Sequence, residues 1–318
     1  MHFVLVAHGN EPIPPTGWGA VEHLIWQYAT ALRDRGHEVT IVNEKKWKAI
    51  FKVLKVCSTK SVDAIHCHAE KPIVPLKFLL PQHLLISTTH NPINQSDLTK
   101  SEQKAVRRCH PAPFHLTLRQ DISDLIQSLN PSAVCAVQPN GVNCSDFSTC
   151  KHGNGKAIYV GRIQERKRQN EVATLLDASN VECDFFGPDY QEVELNQSLK
   201  KMYKGEIDRK KLMENLCQYS VLILMSNSEG QPLVVAEALA AGIPVVVSKA
   251  ASANLDLNQP FIHLVEDEST LGSVVQMAIQ QRDNLSDQIR HYAEKNFDFE
   301  QLVDRYILQI QEWNQARK

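Results

Sequence analysis

The stretch VLILMSNSEGQPLVVAEALAAGIPVVVS, residues 221–248, decides the fold of this chain. Its apolar runs at 221–225 and 243–247 predict two short strands, and the segment between them has helical spacing. Two Val- and Ile-rich strands around a helix form the βαβ unit of a buried parallel sheet. Glu229 follows the first strand, and Glu237 lies inside the predicted helix. Because such sheets bind ligands at the carboxyl ends of their strands, we expect a ligand site beside these carboxylates.

The length and composition are those of a globular protein with two domains. A chain of 318 residues exceeds one ordinary core, and 43% hydrophobic and 22% charged residues fit the globular class. The formal net charge of −2 argues against a nucleic-acid partner, which usually requires a positive excess. The sequence has no signal-peptide pattern and no window with the roughly 18 apolar residues of a membrane span, so we expect a cytoplasmic protein.

The eight cysteines form no CxxC pair and no recognisable disulfide framework. Scattered thiols of this kind are typical of a reducing compartment, where most of them are small, buried, apolar residues. The sequence therefore predicts free cysteines.

A loop with two glycines separates the first strand from the first helix. His2–Ala7 predicts the strand, and Gly17 and Gly19 flank Trp18 before the predicted helix. Glycines at a helix N-terminus let the backbone approach a phosphate, although they can also simply shape a turn. Together with the strand at 37–42, this pattern is the opening of a doubly wound sheet.

The basic segment 45–60 predicts an amphipathic helix. Trp47, Ile50, Phe51 and Leu54 fall on one face at helical spacing, between lysines. Such a helix can cover the sheet while its lysines face water, or it can lie on an anionic membrane surface. We favour the sheet-covering helix and keep a peripheral contact with the inner membrane face as the alternative.

Two predicted strands of the first half end in histidine. Residues 61–70 place His66 and His68 on one face of a strand, and the strand at 84–89 runs into His90. Zinc needs three or four ligands, and no obvious third ligand accompanies His66 and His68, so a metal site is disfavoured. His90 either packs as a structural histidine or faces a substrate.

A polar, glycine-bearing segment at 149–156 is the best candidate for a linker between two domains. After it, Ala157–Val160 restarts the strand pattern and leads into a loop that carries Arg162 and Lys167 among other cations. Guanidinium and ammonium groups at the end of a strand suit a diphosphate, while a solvated charge run is the alternative interpretation.

These motifs together resemble glycosyltransferase family 4, the retaining nucleotide-sugar transferases of the GT-B fold. The resemblance covers nearly the whole chain. It is carried by the ordered motifs PTGWGAVE, GHEVTIV, DAIHCH, TTHN, PNGVN, YVGRIQERK and SEGQPLVVAEALAAGIPVV. The last motif matches the family's pair of glutamates, which are Glu229 and Glu237 in this sequence. Gln231 departs from the commoner pattern, so we carry over no sugar identity.

The resemblance implies an α/β protein with two doubly wound, Rossmann-like domains that face each other across a cleft. Residues 1–150 would form the acceptor-side domain, residues 151–299 the domain that binds the nucleotide sugar, and residues 300–318 a C-terminal helix that packs back on the first domain. The implied reaction moves a hexose-type sugar from a UDP- or GDP-linked donor to a glycan, lipid-linked or small-molecule acceptor. It would retain the anomeric configuration and require no metal or other cofactor.

The resemblance also implies roles for individual residues. Arg162 and Lys167 would hold the donor diphosphate, and Glu237 would hold the ribose hydroxyls. Glu229 would contact hydroxyls of the donor sugar, and His90 would lie near the transferred sugar. The remaining expected substrate-binding residues are Gly17, Trp18, Gly19, Asn140, Gly230, Gln231, Pro232, Leu233 and Val234.

Several other functions share some of these features. A nucleotide-sugar epimerase of the GT-B fold would interconvert isomers of the donor without an acceptor. A non-catalytic nucleotide-sugar-binding protein is disfavoured because both glutamates and both cations are present together. A hydrolase is disfavoured because glycosidases place two carboxylates across the bond that they cleave. Transfer to DNA is disfavoured by the near-neutral charge.

Overall fold

The computed structural model describes residues 1–15, 19–45, 47–90, 106–108, 110–189 and 193–317. Its contacts divide the chain into two compact units. Unit 1 contains Met1–Asn140 and Glu300–Lys318, and unit 2 contains Gly141–Phe299. Each unit is built around a parallel sheet of its own, as the alternation of strands and helices in the sequence predicts.

Unit 1 contains a six-stranded sheet. Its strands are β1 (His2–Ala7), β2 (Glu38–Asn43), β3 (Ala64–Cys67), β4 (Leu85–Ser87), β5 (Phe114–Thr117) and β6 (Val134–Val137). They lie in the order β2-β1-β3-β4-β5-β6, with parallel pairings between the described strands. The full burial of β1 and β3 is typical of a parallel sheet that is covered on both faces. The helices described for this unit are Ala20–Asp34, Trp47–Thr59, Ile73–Leu79, Gln120–Leu129 and Phe299–Ala316.

The helix Phe299–Ala316 belongs to unit 1 from Glu300 onward. Its Tyr306 is fully buried, and the ring packs against the rings of Phe3 and Tyr28 at centroid distances of 5.8 and 5.1 Å. The last helix of the chain therefore supplies part of the core of unit 1.

Unit 2 contains a five-stranded sheet. Its strands are β7 (Ala157–Val160), β8 (Cys183–Phe186), β9 (Val221–Leu224), β10 (Val245–Val247) and β11 (Ile262–Leu264). They lie in the order β11-β10-β9-β7-β8 and pair in parallel. The helices described for this unit are Gln169–Ala178, Gln197–Met202, Arg209–Asn215, Leu233–Ala240 and Leu271–Phe297.

The stretch 221–248 folds into the predicted βαβ unit, with the helix Leu233–Ala240 between β9 and β10. Every residue from Val235 to Ala240 is buried. A helix that is buried on every face can carry apolar side chains on every face, which explains its run of small and branched residues.

The first residues of unit 2 are hydrogen-bonded to its last ones. The N–H of Val142 donates to the carbonyl of Phe297 over 2.9 Å, and the N–H of Phe299 donates to the carbonyl of Val142 over 3.0 Å. Because these bonds hold the segment after Asn140 in unit 2, the structure divides the chain upstream of the linker expected at 149–156.

Cys150 and Cys217 are joined by a disulfide, with their Cα atoms 5.2 Å apart. The prediction of free cysteines is therefore wrong for this pair. The two residues are separated by 67 positions and become neighbours only through the fold of unit 2, so their spacing in sequence does not reveal the bond. The described cysteines that remain free are Cys57, Cys67, Cys135, Cys144 and Cys183.

The helix Trp47–Thr59 buries a different face from the one that we predicted. Ala49, Ile50 and Val53 are buried, whereas Trp47 and Phe51 are 65% and 69% exposed. With 3.6 residues per turn, positions 47 and 51 lie more than about 100° from the centre of the buried face. The four side chains share one face of the helix, but the expectation that this face covers the sheet is wrong for Trp47 and Phe51. Among the helices that the structure describes, none is both long and apolar enough to cross a bilayer.

Candidate active site

A buried ion pair lies at the carboxyl ends of β7 and β9. Lys167 follows β7 and is 8% exposed, and Glu229 follows β9 and is 7% exposed. The Nζ atom of Lys167 donates a hydrogen bond to Oε1 of Glu229. Because β7 and β9 are neighbours in the sheet, the loops that follow them meet at one edge. The fold thus brings together two residues that are 62 positions apart.

Arg166 is a second cation beside the same carboxylate. Its Nη1 atom lies 3.4 Å from Oε2 of Glu229 and donates to the carbonyl of Ser228 over 2.8 Å. The N–H of Asn227 donates to the carbonyl of Arg166 over 2.8 Å, which ties the two loops together. No separate role for Arg166 follows from the sequence, because spacing does not show which cation of the loop meets the carboxylate.

The charges of this cluster determine its protonation state. Burial raises the pKa of Glu229, but the charge and hydrogen bond of Lys167 and the charge of Arg166 outweigh it, so the pKa lies below its ordinary value. Burial lowers the pKa of Lys167, and Glu229 offsets only part of this effect. The carboxylate is therefore held ionised between two basic groups, a surrounding that attracts a further anion.

Arg162 and Arg168 have different environments within the same loop. The side chain of Arg162 is exposed, and its charge is close enough to lower the pKa of Lys167. Arg168 has a φ of +58° and pairs with Glu268 through both terminal nitrogens, with Nη2 2.8 Å from Oε2. Arg162 and Lys167 therefore belong to one electrostatic cluster, whereas Arg168 is engaged in a separate ion pair.

Gly187 lets the loops after β7 and β8 approach each other closely. A Cβ atom on Gly187 would lie 1.9 Å from the carbonyl oxygen of Gly161, and Gly187 has a φ of +151°. The N–H of Gly161 donates to the carbonyl of Phe186 over 2.9 Å. A Cβ on Gly161 would lie 3.8 Å from Nζ of Lys167, so the glycine leaves the backbone beside this cation uncovered.

The helix Leu233–Ala240 begins shortly after Glu229 in sequence. Its N-cap, Pro232, makes no side-chain hydrogen bond to the first turn. The first N–H groups of a helix have no partner within the helix, and the helix dipole is positive at this end. Of the binding segment expected here, Pro232 is buried and the others are partly exposed, namely Gly230, Gln231, Leu233 and Val234.

Glu237 pairs with a cation from another element. It is 4% exposed, and Nη1 of Arg209 donates to its Oε1 over 2.8 Å. Arg209 is the first residue of the helix Arg209–Asn215. Arg209 is not among the predicted site residues, because it stands in a basic, polar helical stretch that resembles a solvated surface.

Unit 1 contains an array of stacked histidine rings. The ring centroids of His66 and His68 are 4.1 Å apart, and Nδ1 of His68 lies 2.9 Å from Nε2 of His90. Burial lowers the pKa of His66 to about 3, with a smaller effect of His90. Burial also lowers the pKa of His90 to about 4 and that of His68 well below its ordinary value. The three rings are therefore neutral at neutral pH.

The tautomer of His66 follows from its partners. The hydroxyl of Thr88 donates to the carbonyl of Leu116 over 2.8 Å, so it accepts a hydrogen bond from Nε2–H of His66 at 2.8 Å. Nδ1 of His66 then accepts from the hydroxyl of Tyr306 at 3.2 Å.

Over the described ranges of the chain, no group of three or more His, Cys, Asp or Glu side chains is arranged to hold a metal ion.

The remaining predicted residues belong to unit 1. Gly19 is the N-cap of the helix Ala20–Asp34, and a Cβ on it would lie 2.9 Å from Oε2 of Glu22. Asn140 is buried and is the last residue of the first segment of the unit. Gly17 and Trp18 lie outside the described residues.

The two units define the GT-B fold. A sucrose-phosphate synthase from Thermosynechococcus elongatus is similar with a TM-score of 0.79 and 14% identity over 99% of both chains. HepE from Anabaena in complex with UDP-glucose has a TM-score of 0.74 and 15% identity over 99% of this chain and 100% of its own. AviGT4, a glycosyltransferase involved in avilamycin A biosynthesis, has a TM-score of 0.70 and 15% identity over 98% of both chains. At these identities the likeness establishes the fold, and the predicted fold class is confirmed.

A more specific similarity covers most of unit 2. Residues 146–295 match the family model described as glycosyl transferases group 1. This range contains both ion pairs, Lys167 with Glu229 and Arg209 with Glu237. Comparison with curated protein sequences gives no match.

Proposed function

We propose that the protein is a glycosyltransferase that moves a hexose-type sugar from a nucleotide-diphosphate sugar to an acceptor hydroxyl. The buried ion pair of Lys167 and Glu229, with the partly exposed Arg166 beside it at the edge of the sheet in unit 2, carries this proposal. Its cations suit a diphosphate, and its carboxylate can accept hydrogen bonds from sugar hydroxyls. The family-model match across the same segment supports this activity.

The cations provide a way to break the bond between sugar and phosphate. As this bond breaks, negative charge develops on the leaving diphosphate and positive charge on the anomeric carbon. Lys167 and Arg162 stabilise the leaving group, together with the first N–H groups of the helix Leu233–Ala240. Because the buried Lys167 and the N–H groups of the helix are held in place before the reaction, they require little reorganisation, and in this proposal the cations take the place of a metal ion.

The proposed reaction retains the anomeric configuration. The acceptor hydroxyl attacks from the face that the diphosphate leaves, and an oxygen of the β-phosphate takes its proton. Glu229 binds hydroxyls of the donor sugar and does not act as a general acid, since Lys167 and Arg166 hold it ionised. His90 is the proposed contact of the transferred sugar.

Glu237 and Arg209 form the proposed ribose end of the site. Arg209 holds Oε1 of Glu237, which orients the carboxylate so that Oε2 can accept hydrogen bonds from the ribose hydroxyls. Anabaena HepE forms complexes with UDP and with UDP-glucose, so UDP-glucose is the first donor to test and GDP-linked sugars are the second. The acceptor is an alcohol of a glycan, a lipid-linked saccharide or a small molecule.

Thermal unfolding with a panel of UDP- and GDP-linked sugars tests the donor class. Each donor is added once with EDTA and once with Mg²⁺ or Mn²⁺. We expect one nucleotide class to raise Tm equally under both conditions, because a ligand that binds the folded protein stabilises it by mass action. A rise only with divalent metal would contradict metal-independent transfer, and no rise with any nucleotide sugar would contradict the proposed function.

Turnover of single variants tests the residue roles. Arg162→Ala and Glu229→Ala should each lower kcat/KM by about 10²–10³-fold, because each removes a group that stabilises the transition state. Lys210→Ala, at an exposed lysine of unit 2, is the matched control and should retain the activity of the wild type. Activity of Arg162→Ala and Glu229→Ala within about threefold of the wild type would show that their assigned roles are wrong.

Product analysis tests the reaction class. NMR of the anomeric proton should show the same configuration in donor and product. Incubation with the donor alone should leave its sugar unchanged, since isomer interconversion would indicate an epimerase. Tight donor binding without turnover over a broad acceptor panel would instead indicate a non-catalytic nucleotide-sugar-binding protein.

A further inference from the structure

Two helices of unit 1 present large apolar side chains to solvent. On the helix Trp47–Thr59, Trp47 and Phe51 are 65% and 69% exposed, and on the helix Ile73–Leu79, Phe78 is 76% exposed. Single exposed apolar residues are normal on a protein surface, but several within one area mark an interaction site.

The two helices lie over the same core. Ile50 and Val53 of the first helix share a buried cluster with Ile73 and Leu76 of the second. The beginnings of both helices also border one cavity of about 420 Å³. Its lining residues are Trp47, Ile50, Lys71, Pro75 and Arg108. The two helices are therefore neighbours in unit 1, and the cavity links the exposed Trp47 to the beginning of the second helix.

Exposed lysines accompany these aromatic side chains along both helices. The exposed lysines of the two helices and their flanks are Lys45, Lys48, Lys52, Lys55, Lys71 and Lys77. Among the described residues, an ion pair and a cavity place the carboxylates of Glu44 and Glu70 beside these lysines. Glu44 pairs with Lys52 at 3.2 Å, and Glu70 lines a neighbouring cavity of about 530 Å³ together with Lys45 and Lys71. The cations outnumber the carboxylates, so the surface has an excess of positive charge.

We propose that this aromatic–basic surface, formed by the exposed faces of Trp47–Thr59 and Ile73–Leu79 with Lys45 and Lys71, binds to an anionic lipid bilayer. Indole and phenyl rings enter the boundary between headgroups and acyl chains, and lysine ammonium groups reach the lipid phosphates. The excess of positive charge favours a negatively charged leaflet over a neutral one. The proposal does not depend on the donor site, since every residue of the surface lies in unit 1.

Vesicle flotation with the full chain tests the proposal. One set of vesicles contains phosphatidylcholine alone, and the other contains phosphatidylcholine and phosphatidylglycerol in equal parts. We expect the protein to float with the mixed vesicles, to stay behind with the neutral ones, and to dissociate at high salt as screening increases. Equal binding to both kinds of vesicle, or no binding to the mixed ones, would overturn the proposal.

Paired variants locate the contact. Each lysine near an anionic surface is worth about fivefold in the partition coefficient, so Lys48→Glu with Lys55→Glu should weaken binding by about 25-fold or more. Trp47→Ser with Phe51→Ser should abolish flotation, and both variants should keep the Tm of the wild type because the side chains are exposed.

Two control variants change equivalent residues elsewhere. Lys210→Glu with Lys211→Glu alters exposed lysines of unit 2, and Leu308→Ser alters a leucine that is 58% exposed on the last helix. Vesicle binding should survive both. If the controls weaken binding as much as the variants at positions 47 to 55, the attraction is diffuse and the assigned surface is wrong. Self-association in sedimentation that requires Trp47 and Phe51, without any flotation, would assign the surface to a second copy of the chain instead.

Discussion

Lys167 and Glu229 carry opposite charges, and both side chains are buried away from water. Both are less than one-tenth exposed, at 8% and 7%. Removing two charges from water costs several kcal/mol for each ion, and their attraction offsets this only with good geometry and further hydrogen bonds. Such a pair contributes little to stability, but it keeps charge fixed at one point of the molecule. We therefore interpret it as a functional rather than a stabilising feature.

A double-mutant cycle tests the coupling within this pair. Lys167→Met should lower the free energy of unfolding by about 3–5 kcal/mol, because it leaves the carboxylate of Glu229 buried without its main partner. The double variant Lys167→Met with Glu229→Leu should lose clearly less than the sum of the two single variants. Urea unfolding at neutral pH provides the measurement. Simple additivity would mean that the two side chains do not interact.

An exposed ion pair of the same unit is the matched control for this cycle. Lys201 and Asp177 are 3.2 Å apart, with side chains 58% and 37% exposed. Water screens such pairs, so Lys201→Met should change the free energy of unfolding by less than about 1 kcal/mol.

Individual residues could be predicted from the sequence better than their partners could. Glu229, Glu237 and Lys167 stand in motifs that follow predicted strands, so the sequence indicates the chemistry of the site. Their contacts connect positions 62 and 28 apart and depend on which strands and helices become neighbours. Local spacing contains no information on that order, and for this reason Arg209 was missed.

At the scale of secondary-structure elements, the loops after β7 and β8 depend on one glycine. Gly187→Ala would place a Cβ atom 1.9 Å from the carbonyl oxygen of Gly161, at a φ of +151°. Since the backbone must move to relieve this clash, the free energy of unfolding should fall by about 3 kcal/mol. Gly205→Ala is the matched control, because Gly205 has a φ of +80° and no atom within 4 Å of the new Cβ. It should lose only about 1 kcal/mol, and equal losses in both variants would show that the close approach is unimportant.

The histidine array along β3 and β4 makes unit 1 sensitive to acid. Burial lowers the pKa of His66 to about 3, so between that value and about 6.5 the unfolded chain binds more protons than the folded one. The contribution of His66 to the free energy of unfolding is therefore fully present above the ordinary histidine pKa. It is lost as the pH decreases below that value. From pH 7 to about pH 5 we expect His66 alone to account for about 2 kcal/mol of lost unfolding free energy.

Urea unfolding at a series of pH values checks this dependence. His66→Gln should reduce the slope between about pH 6.5 and pH 5, because the buried titrating group is gone. His152→Gln is the control, since the side chain of His152 is 70% exposed. A slope that is the same in the wild type and in His66→Gln would contradict the assignment.

Elements were predicted more reliably than the faces that they bury. The sequence places the first helix and β1, β7 and the helix Leu233–Ala240 close to where the structure has them, since strand and helix periods are local properties. The helix Trp47–Thr59 was predicted correctly as a helix, but its aromatic residues face solvent. On this helix, small and branched side chains pack against the sheet. Hydrophobicity alone does not show that the large aromatic rings will face solvent instead.

At the scale of the whole molecule, each unit has its own sheet, and unit 1 also needs the end of the chain. Tyr306→Ala should lower the stability of unit 1 by about 3–5 kcal/mol, because it removes a fully buried ring and a hydrogen-bond partner of His66. Hydrogen exchange followed by peptide analysis should show faster exchange across β1 and β3 and no change across β7 and β9. Leu308→Ala, on the exposed side of the same helix, should leave both patterns unchanged. Loss of protection in both units would show that they do not unfold separately.

The parallel α/β sheets followed from the alternation of strands and helices, which permits few arrangements, whereas the GT-B class followed from the family resemblance. The disulfide between Cys150 and Cys217 did not follow, because it depends on a contact across 67 positions. The predicted domain boundary and that of the structure differ for a similar reason. Composition marks a polar, glycine-bearing segment, whereas the division in the structure reflects the hydrogen bonds of Val142.

Unit 1 consists of two segments that are far apart in the sequence, so the ribosome synthesises them at different times. Met1–Asn140 emerges first, and Glu300–Lys318 emerges only after all of unit 2 has been synthesised. Unit 2 is continuous and can close its core as soon as it leaves the exit tunnel. Until Glu300–Lys318 emerges, Phe3 and Tyr28 lack the ring of Tyr306, which packs against both of them in the folded unit. Unit 1, most of which is translated before unit 2, is therefore the unit that completes its fold last.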